Sequence, residues 1–141
     1  MDKKEYMLKI KQSLTLLYVE DEAMVKEASI KSLKRRFKEV YTAANGEEGL
    51  ELYKKYRPDI VLTDIFMPIQ NGIEMIRHIR EIDKDIPIVV ITALTEDTYM
   101  TQAKEHSIQE YFVKPIKEEQ FLESLYNLSV DLLDSKRLNA D

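Results

Sequence analysis

The chain has 141 residues, 44% of them hydrophobic and 33% charged, the proportions of an ordinary single-domain globular protein. Its 26 acidic and 21 basic side chains leave a formal net charge of -5, which argues against a nucleic-acid-binding face. The absence of cysteine excludes disulfides, thiolate metal sites and a cysteine nucleophile.

The charged start, Met1-Asp2-Lys3-Lys4-Glu5-Tyr6, is not a secretory signal, and no apolar run approaches the roughly 20 residues that span a bilayer. The expected address is the cytoplasm, with no membrane partner. Residues 1–13 read as a polar N-terminal extension, in which Tyr6-Met7-Leu8-Lys9-Ile10 either continues a helix from an upstream domain or forms a disordered arm. Leu14 to Val19 is a near-continuous apolar run, as expected of a strand covered on both faces. From Asp21 to about Arg36 the spacing is helical, with Met24, Val25, Ala28 and Leu33 on one side. Glu39 to Ala43 is a second strand. Asn45 and Glu48 form a capping-box pattern for the next helix, whose stripe is Leu50, Tyr53 and Tyr56 and which Pro58 ends. Ile60 to Thr63 is the third strand, and Asn71-Gly72 opens a helix carrying Ile73, Ile76 and Ile79. Ile88 to Ile91 is the fourth strand, followed by a helix that Thr95 is expected to cap. Tyr111 to Val113 is a brief fifth strand, and Glu118 to about Leu133 the last helix, facing inward through Phe121, Leu122, Leu125 and Leu128. The packed domain therefore spans 14–134, and 135–141 is a tail or the start of a linker.

Five strands alternating with five helices argue for parallel βαβ units with right-handed crossovers and helices on both faces of one sheet. In such folds reactive groups gather outside the carboxyl ends of the strands. Glu20-Asp21, Asp64, Thr92 and Lys114 each end one of these apolar runs. Three carboxylates at one edge repel one another and need a cation to coexist ionised. With oxygen ligands only, the natural ion is Mg²⁺. Beside Lys114 it would make a positive pocket suited to a phosphoryl group, with Thr92 donating to one of its oxygens and Asp64 as the nucleophile.

Four blocks carry a family resemblance: Val19-Glu20-Asp21-Glu22, Asp64 through Gly72, Val90-Ile91-Thr92-Ala93, and Tyr111-Phe112-Val113-Lys114-Pro115. In order and at these separations they resemble response-regulator receiver domains of two-component signalling, over about Leu14 to Leu133. The resemblance implies a flavodoxin-like doubly wound (βα)5 fold with a five-stranded parallel sheet in the order 2-1-3-4-5. It implies that Asp64 is the phospho-acceptor, charged from a phosphohistidine of a sensor histidine kinase or phosphotransfer protein. Asp21 matches the direct Mg²⁺ ligand, Glu20 the acid acting through water, and the Phe66 backbone carbonyl the remaining protein ligand. Thr92 and Lys114 match the groups that contact the phosphoryl oxygens, and Tyr111 the aromatic switch. Lys114-Pro115 falls where the family commonly has a cis bond. The surface of the fourth helix, fifth strand and fifth helix is then expected to engage an output domain, a downstream protein or a second copy. Such a domain assists its own phosphorylation without turning over an external substrate.

Two departures stand out. Phe66 and Leu94, two residues beyond Asp64 and Thr92, are bulky groups flanking the path of an attacking water, so slow self-dephosphorylation is expected. His106-Ser107 replaces the usual glycine-containing turn. A haloacid-dehalogenase-type phosphatase would need a second aspartate where Phe66 stands. A phosphorylation-independent pseudo-receiver would typically lack the acceptor, a metal acid or the lysine. Glu22 reads as an acid favouring a helix N-terminus, His78 and His106 as surface or packing residues, and Lys34-Arg35-Arg36 as a solvated helix end or a kinase-docking site; Met67, Met75 and Met100 read as packing.

Overall fold

The computed structural model describes residues 1–140, apart from the side chains of Met24, Val25 and residues 137–140. The expected inward facing of Met24 and Val25 thus lies outside the described residues. The elements are α1 (Lys3–Ser13), β1 (Thr15–Val19), α2 (Ala23–Lys34), β2 (Glu39–Ala43), α3 (Gly46–Tyr56), β3 (Ile60–Thr63), α4 (Gly72–Ile82), β4 (Ile88–Thr92), α5 (Asp97–Glu105), β5 (Glu110–Val113) and α6 (Glu118–Ala140). The strands form one parallel sheet in the order β2-β1-β3-β4-β5. This is the flavodoxin-like arrangement, with one helix more than expected.

Strand alternation splits the core in two. Leu17, Val19, Val61 and Val90 point to one face, against Tyr53, Met75, Ile76 and Ile79. Leu16, Tyr18, Leu62, Val89 and Ile91 point to the other, against Leu33, Phe121 and Leu125. Every residue of β3 is buried, and the chain reaches water only at Phe66, after the buried Asp64 and Ile65.

The N-terminal extension is a correction. Residues 3–13 fold as α1, capped by the Asp2 side chain, which accepts from the Glu5 N–H at 2.9 Å. Tyr6, Ile10 and Leu14 recur every fourth residue, and Ile10 is 4% exposed within the second core. Burying such a side chain contributes about 1.5–3 kcal/mol. The Tyr6 hydroxyl donates to Asp134 in α6 at 2.8 Å, and the Lys11 ammonium donates to the Lys34 and Phe37 carbonyls at the end of α2. The helix α6 continues past the expected Leu133, and Lys136 pairs with Asp59 at 2.8 Å.

The start of α5 also differs. The cap of α5 is Glu96, not Thr95, because the Tyr99 and Met100 N–H groups both donate to the Glu96 carbonyl and leave Thr95 outside the first turn. As expected, α3 ends just before Pro58: it stops at Tyr56, and Arg57 takes the left-handed conformation (φ 46°). Ser107 sits in the left-handed region with φ 58°, where glycine is the usual residue, and the Lys114-Pro115 bond is cis.

At the end of α4, the Asp83 carboxylate accepts from the Asp85 and Ile86 N–H groups at 2.8 and 3.1 Å and from the Tyr53 hydroxyl at 3.2 Å. Burial pushes this carboxyl up, but those donors outweigh it and hold it below its ordinary value. A depressed folded pKa gives stability that is complete above the unfolded carboxylate range and lost as pH falls through the folded value. Asp83→Ala is therefore expected to cost about 1–3 kcal/mol at neutral pH. The gap from wild type should close on acidification, read as urea midpoints at neutral and acid pH; a constant gap would refute the assignment.

Candidate functional site

Four strands end on one rim, and each delivers a side chain there. Backbone bonds fix the positions: the Glu20 N–H donates to the Ala43 carbonyl and the Asp64 N–H to the Val19 carbonyl, both at 3.0 Å, and the Lys114 N–H to the Thr92 carbonyl at 2.8 Å. These continue the parallel ladders one step beyond the strands and fix where each side chain leaves the sheet.

Carboxylate oxygens of Glu20, Asp21 and Asp64 all lie within 4.8 Å of one another. Glu20 and Asp64 are buried, 1% and 7% exposed, while Asp21 is open to water. Lys114 bridges the two buried acids, its Nζ donating to Glu20 Oε2 at 2.8 Å and Asp64 Oδ2 at 3.0 Å. The other Asp64 oxygen, Oδ1, accepts from the Ile65 N–H at 2.6 Å and, more loosely, the Phe66 N–H at 3.4 Å. Both backbone donors arise because the chain turns sharply after β3. That turn closes where the Gly72 N–H donates to the Ile65 carbonyl at 2.7 Å.

Charge within the cluster is unbalanced: one ammonium faces three carboxylates. Burial pushes Glu20 above its ordinary value and Asp64 adds to this, while the Lys114 hydrogen bond pulls back without cancelling it. Lys114 moves up as well. Burial opposes its charge, but the hydrogen bonds to Glu20 and Asp64 prevail. The lysine therefore stays charged at neutral pH, and the remaining excess of negative charge favours a further cation. An all-oxygen donor set open to water on the Asp21 side suits Mg²⁺, which retains several waters.

Thr92 is 1% exposed, and its hydroxyl oxygen accepts from the Leu94 N–H at 3.3 Å. The Leu94 carbonyl in turn accepts from the Tyr111 hydroxyl at 2.9 Å. The chain thus links Thr92, Leu94 and Tyr111 from the rim to β5. Every side chain expected at the site from sequence is delivered to this rim or tied to it. Phe66 is 67% exposed, and its ring contacts Tyr99 in α5, a partner that no periodicity in the sequence points to. The role of Gly72 beside Asp64 also has no sequence signal, because it depends on a close approach between segments. His78 pairs with Glu81 at 3.8 Å within α4 and His106 caps α5, both apart from the acids.

Among known families, the response regulator receiver domain matches residues 16–126. The chain is 31% identical to the chemotaxis protein CheY of Halobacterium salinarum over 110 residues, covering 78% of this chain and 92% of that one. It is 37% identical to the transcriptional regulatory protein AfsQ1 of Streptomyces coelicolor over 103 residues, covering 73% of this chain and 45% of that protein. It spans about half the length of such regulators. Its fold also superposes on CheY in the crystal structure of a CheX-CheY-BeF3-Mg²⁺ complex from Borrelia burgdorferi. The TM-score is 0.73 at 29% identity, covering 82% of this chain and 88% of that one.

Proposed function

Because the chain belongs to the response regulator receiver domain family, we propose that it is a phosphorylation-controlled switch whose acceptor is Asp64. The observation that carries this is Lys114 shared between Glu20 and Asp64, with Asp21 alongside. In the transfer, an Asp64 oxygen bonds to phosphorus as the N–P bond of a phosphohistidine breaks, and the imidazole leaves with the electron pair. The donor is a sensor histidine kinase or a phosphotransfer protein. Bound Mg²⁺ would neutralise the phosphoryl oxygens. Glu20, Asp21, Asp64 and the Phe66 carbonyl are the groups proposed to hold it, Glu20 through water.

Once Asp64 carries the phosphoryl group, its carboxylate charge is no longer available to Lys114, which turns to a phosphoryl oxygen instead. Thr92 donates its hydroxyl to another. That movement tugs on Leu94 and so on the Tyr111 hydroxyl, biasing a two-state element. The face formed by α5, β5 and α6 carries the change to an output domain, a downstream protein or a second copy of the chain. Among the described residues no helix is long and apolar enough to cross a membrane. A cytoplasmic address is part of the proposal. It is proposed to act without direct contact with nucleic acid and without turnover of an external substrate.

Incubation with acetyl phosphate and Mg²⁺ should add one phosphoryl group, read by intact mass. No Mg²⁺-dependent modification would favour a phosphorylation-independent binding module. After the donor is removed the aspartyl phosphate should persist for minutes or longer, since Phe66 and Leu94 flank the water path. Loss within seconds would contradict the assigned role of those two side chains.

A further inference from the structure

Phe66 is 67% exposed, and an apolar ring so open to water is ordinarily free to rotate. Here it has an aromatic partner. Its ring meets Tyr99 edge to face, with centroids 6.5 Å apart and planes at 83°. Tyr99 itself is half-buried, packed against the same core as Leu94 and Tyr111. At its backbone, Phe66 directs its N–H toward Asp64 Oδ1 at 3.4 Å. One ring pair therefore joins the loop after β3 to the first turn of α5, the two segments rooted at Asp64 and Thr92.

We propose that Tyr99 is a positioning residue for phosphate lifetime, holding the Phe66 ring across the approach to phosphorylated Asp64. This rests on Asp64 being the acceptor. In hydrolysis, a water oxygen bonds to phosphorus while the P–O bond to Asp64 breaks. The carboxylate leaves with the electron pair, and the protons of water pass to phosphate and solvent. The water must arrive in line with the breaking bond, on the side that faces the open rim. A ring fixed there excludes it; a ring that swings away admits it. An edge-to-face pair of this kind corresponds to a factor of roughly two to ten in a rate it controls. The Tyr99 hydroxyl plays no part, so phenylalanine should serve equally well.

The test uses the full chain, phosphorylated with acetyl phosphate and Mg²⁺, freed of donor and followed by loss of the phosphoryl mass. Tyr99→Leu keeps apolar bulk against the core and removes the ring. It should speed loss by about two- to tenfold, and Phe66→Ala should do the same. The double variant should be no faster than the faster single one, because both act through one contact. Tyr99→Phe should keep the wild-type lifetime, and melting curves report the fold separately. A wild-type lifetime in Tyr99→Leu, additive effects in the double variant, or a fast Tyr99→Phe would each overturn the proposal while leaving Asp64 as acceptor. Failure of the wild type to accept any phosphoryl group would overturn both.

Discussion

Asp64→Asn is expected to reduce Mg²⁺-dependent phosphoryl labelling to background while leaving the fold intact. The amide has the shape of the carboxylate but lacks its nucleophilic oxygen charge, so no acyl phosphate forms. Stability should respond in the less familiar direction. In metal-free buffer, Glu20, Asp21 and Asp64 repel one another, and Lys114 offsets only part of that repulsion. Removing one charge relieves the repulsion at the cost of one charge-assisted hydrogen bond. The variant should melt at the wild-type temperature or above it without metal. The benefit from Mg²⁺, about 2.7 kcal/mol at roughly a hundred times Kd for a single site, should shrink in the variant. Labelling by mass and melting with and without Mg²⁺ check both parts. Residual labelling at wild-type rate would move the acceptor elsewhere, and a large loss of stability would mean that the Lys114 bridge outweighs the repulsion.

Gly72→Ala should be the most damaging single-methyl addition near the site. A Cβ at Gly72 would fall inside contact distance of the Asp64 carbonyl oxygen and 2.9 Å from the Ile65 Cα. These are backbone atoms, held by the Gly72 N–H bond to Ile65, and they cannot swing aside as a side chain would. Overpacking against fixed atoms costs about 3 kcal/mol, or a melting temperature lower by roughly 10 °C. What yields is the turn that aims the Ile65 and Phe66 N–H groups at Asp64, so labelling by acetyl phosphate should slow as well. An unchanged melting temperature and labelling rate would mean that the turn has slack.

Much of this was legible in the sequence because parallel strands buried on both faces announce their ends. Leu14 to Val19 and Ile60 to Thr63 are near-continuous apolar runs, so the acids that follow are expected at a rim. Gly72 was readable as a helix start, but its neighbour across the turn was not, since a close approach leaves no trace in local pattern. The Phe66–Tyr99 contact was hidden for the same reason. A helix near Tyr6 to Ile10 was one of two readings of the N-terminus, but its docking onto this core was not legible, because lysines surround the stripe of Tyr6, Ile10 and Leu14. Thr95 has the right chemistry for a cap, yet the first turn of α5 is satisfied by the Glu96 carbonyl.

The bond from Tyr6 to Asp134 spans 128 positions of sequence. Among the described elements, α1 is the first to leave the ribosome, and the part of α6 that receives it is the last. The Lys11 contacts with the end of α2 join neighbours in sequence, whereas the Tyr6 contact closes the chain upon itself. That one bond can form only when both ends of the domain are present, so it joins the beginning of the fold to its end.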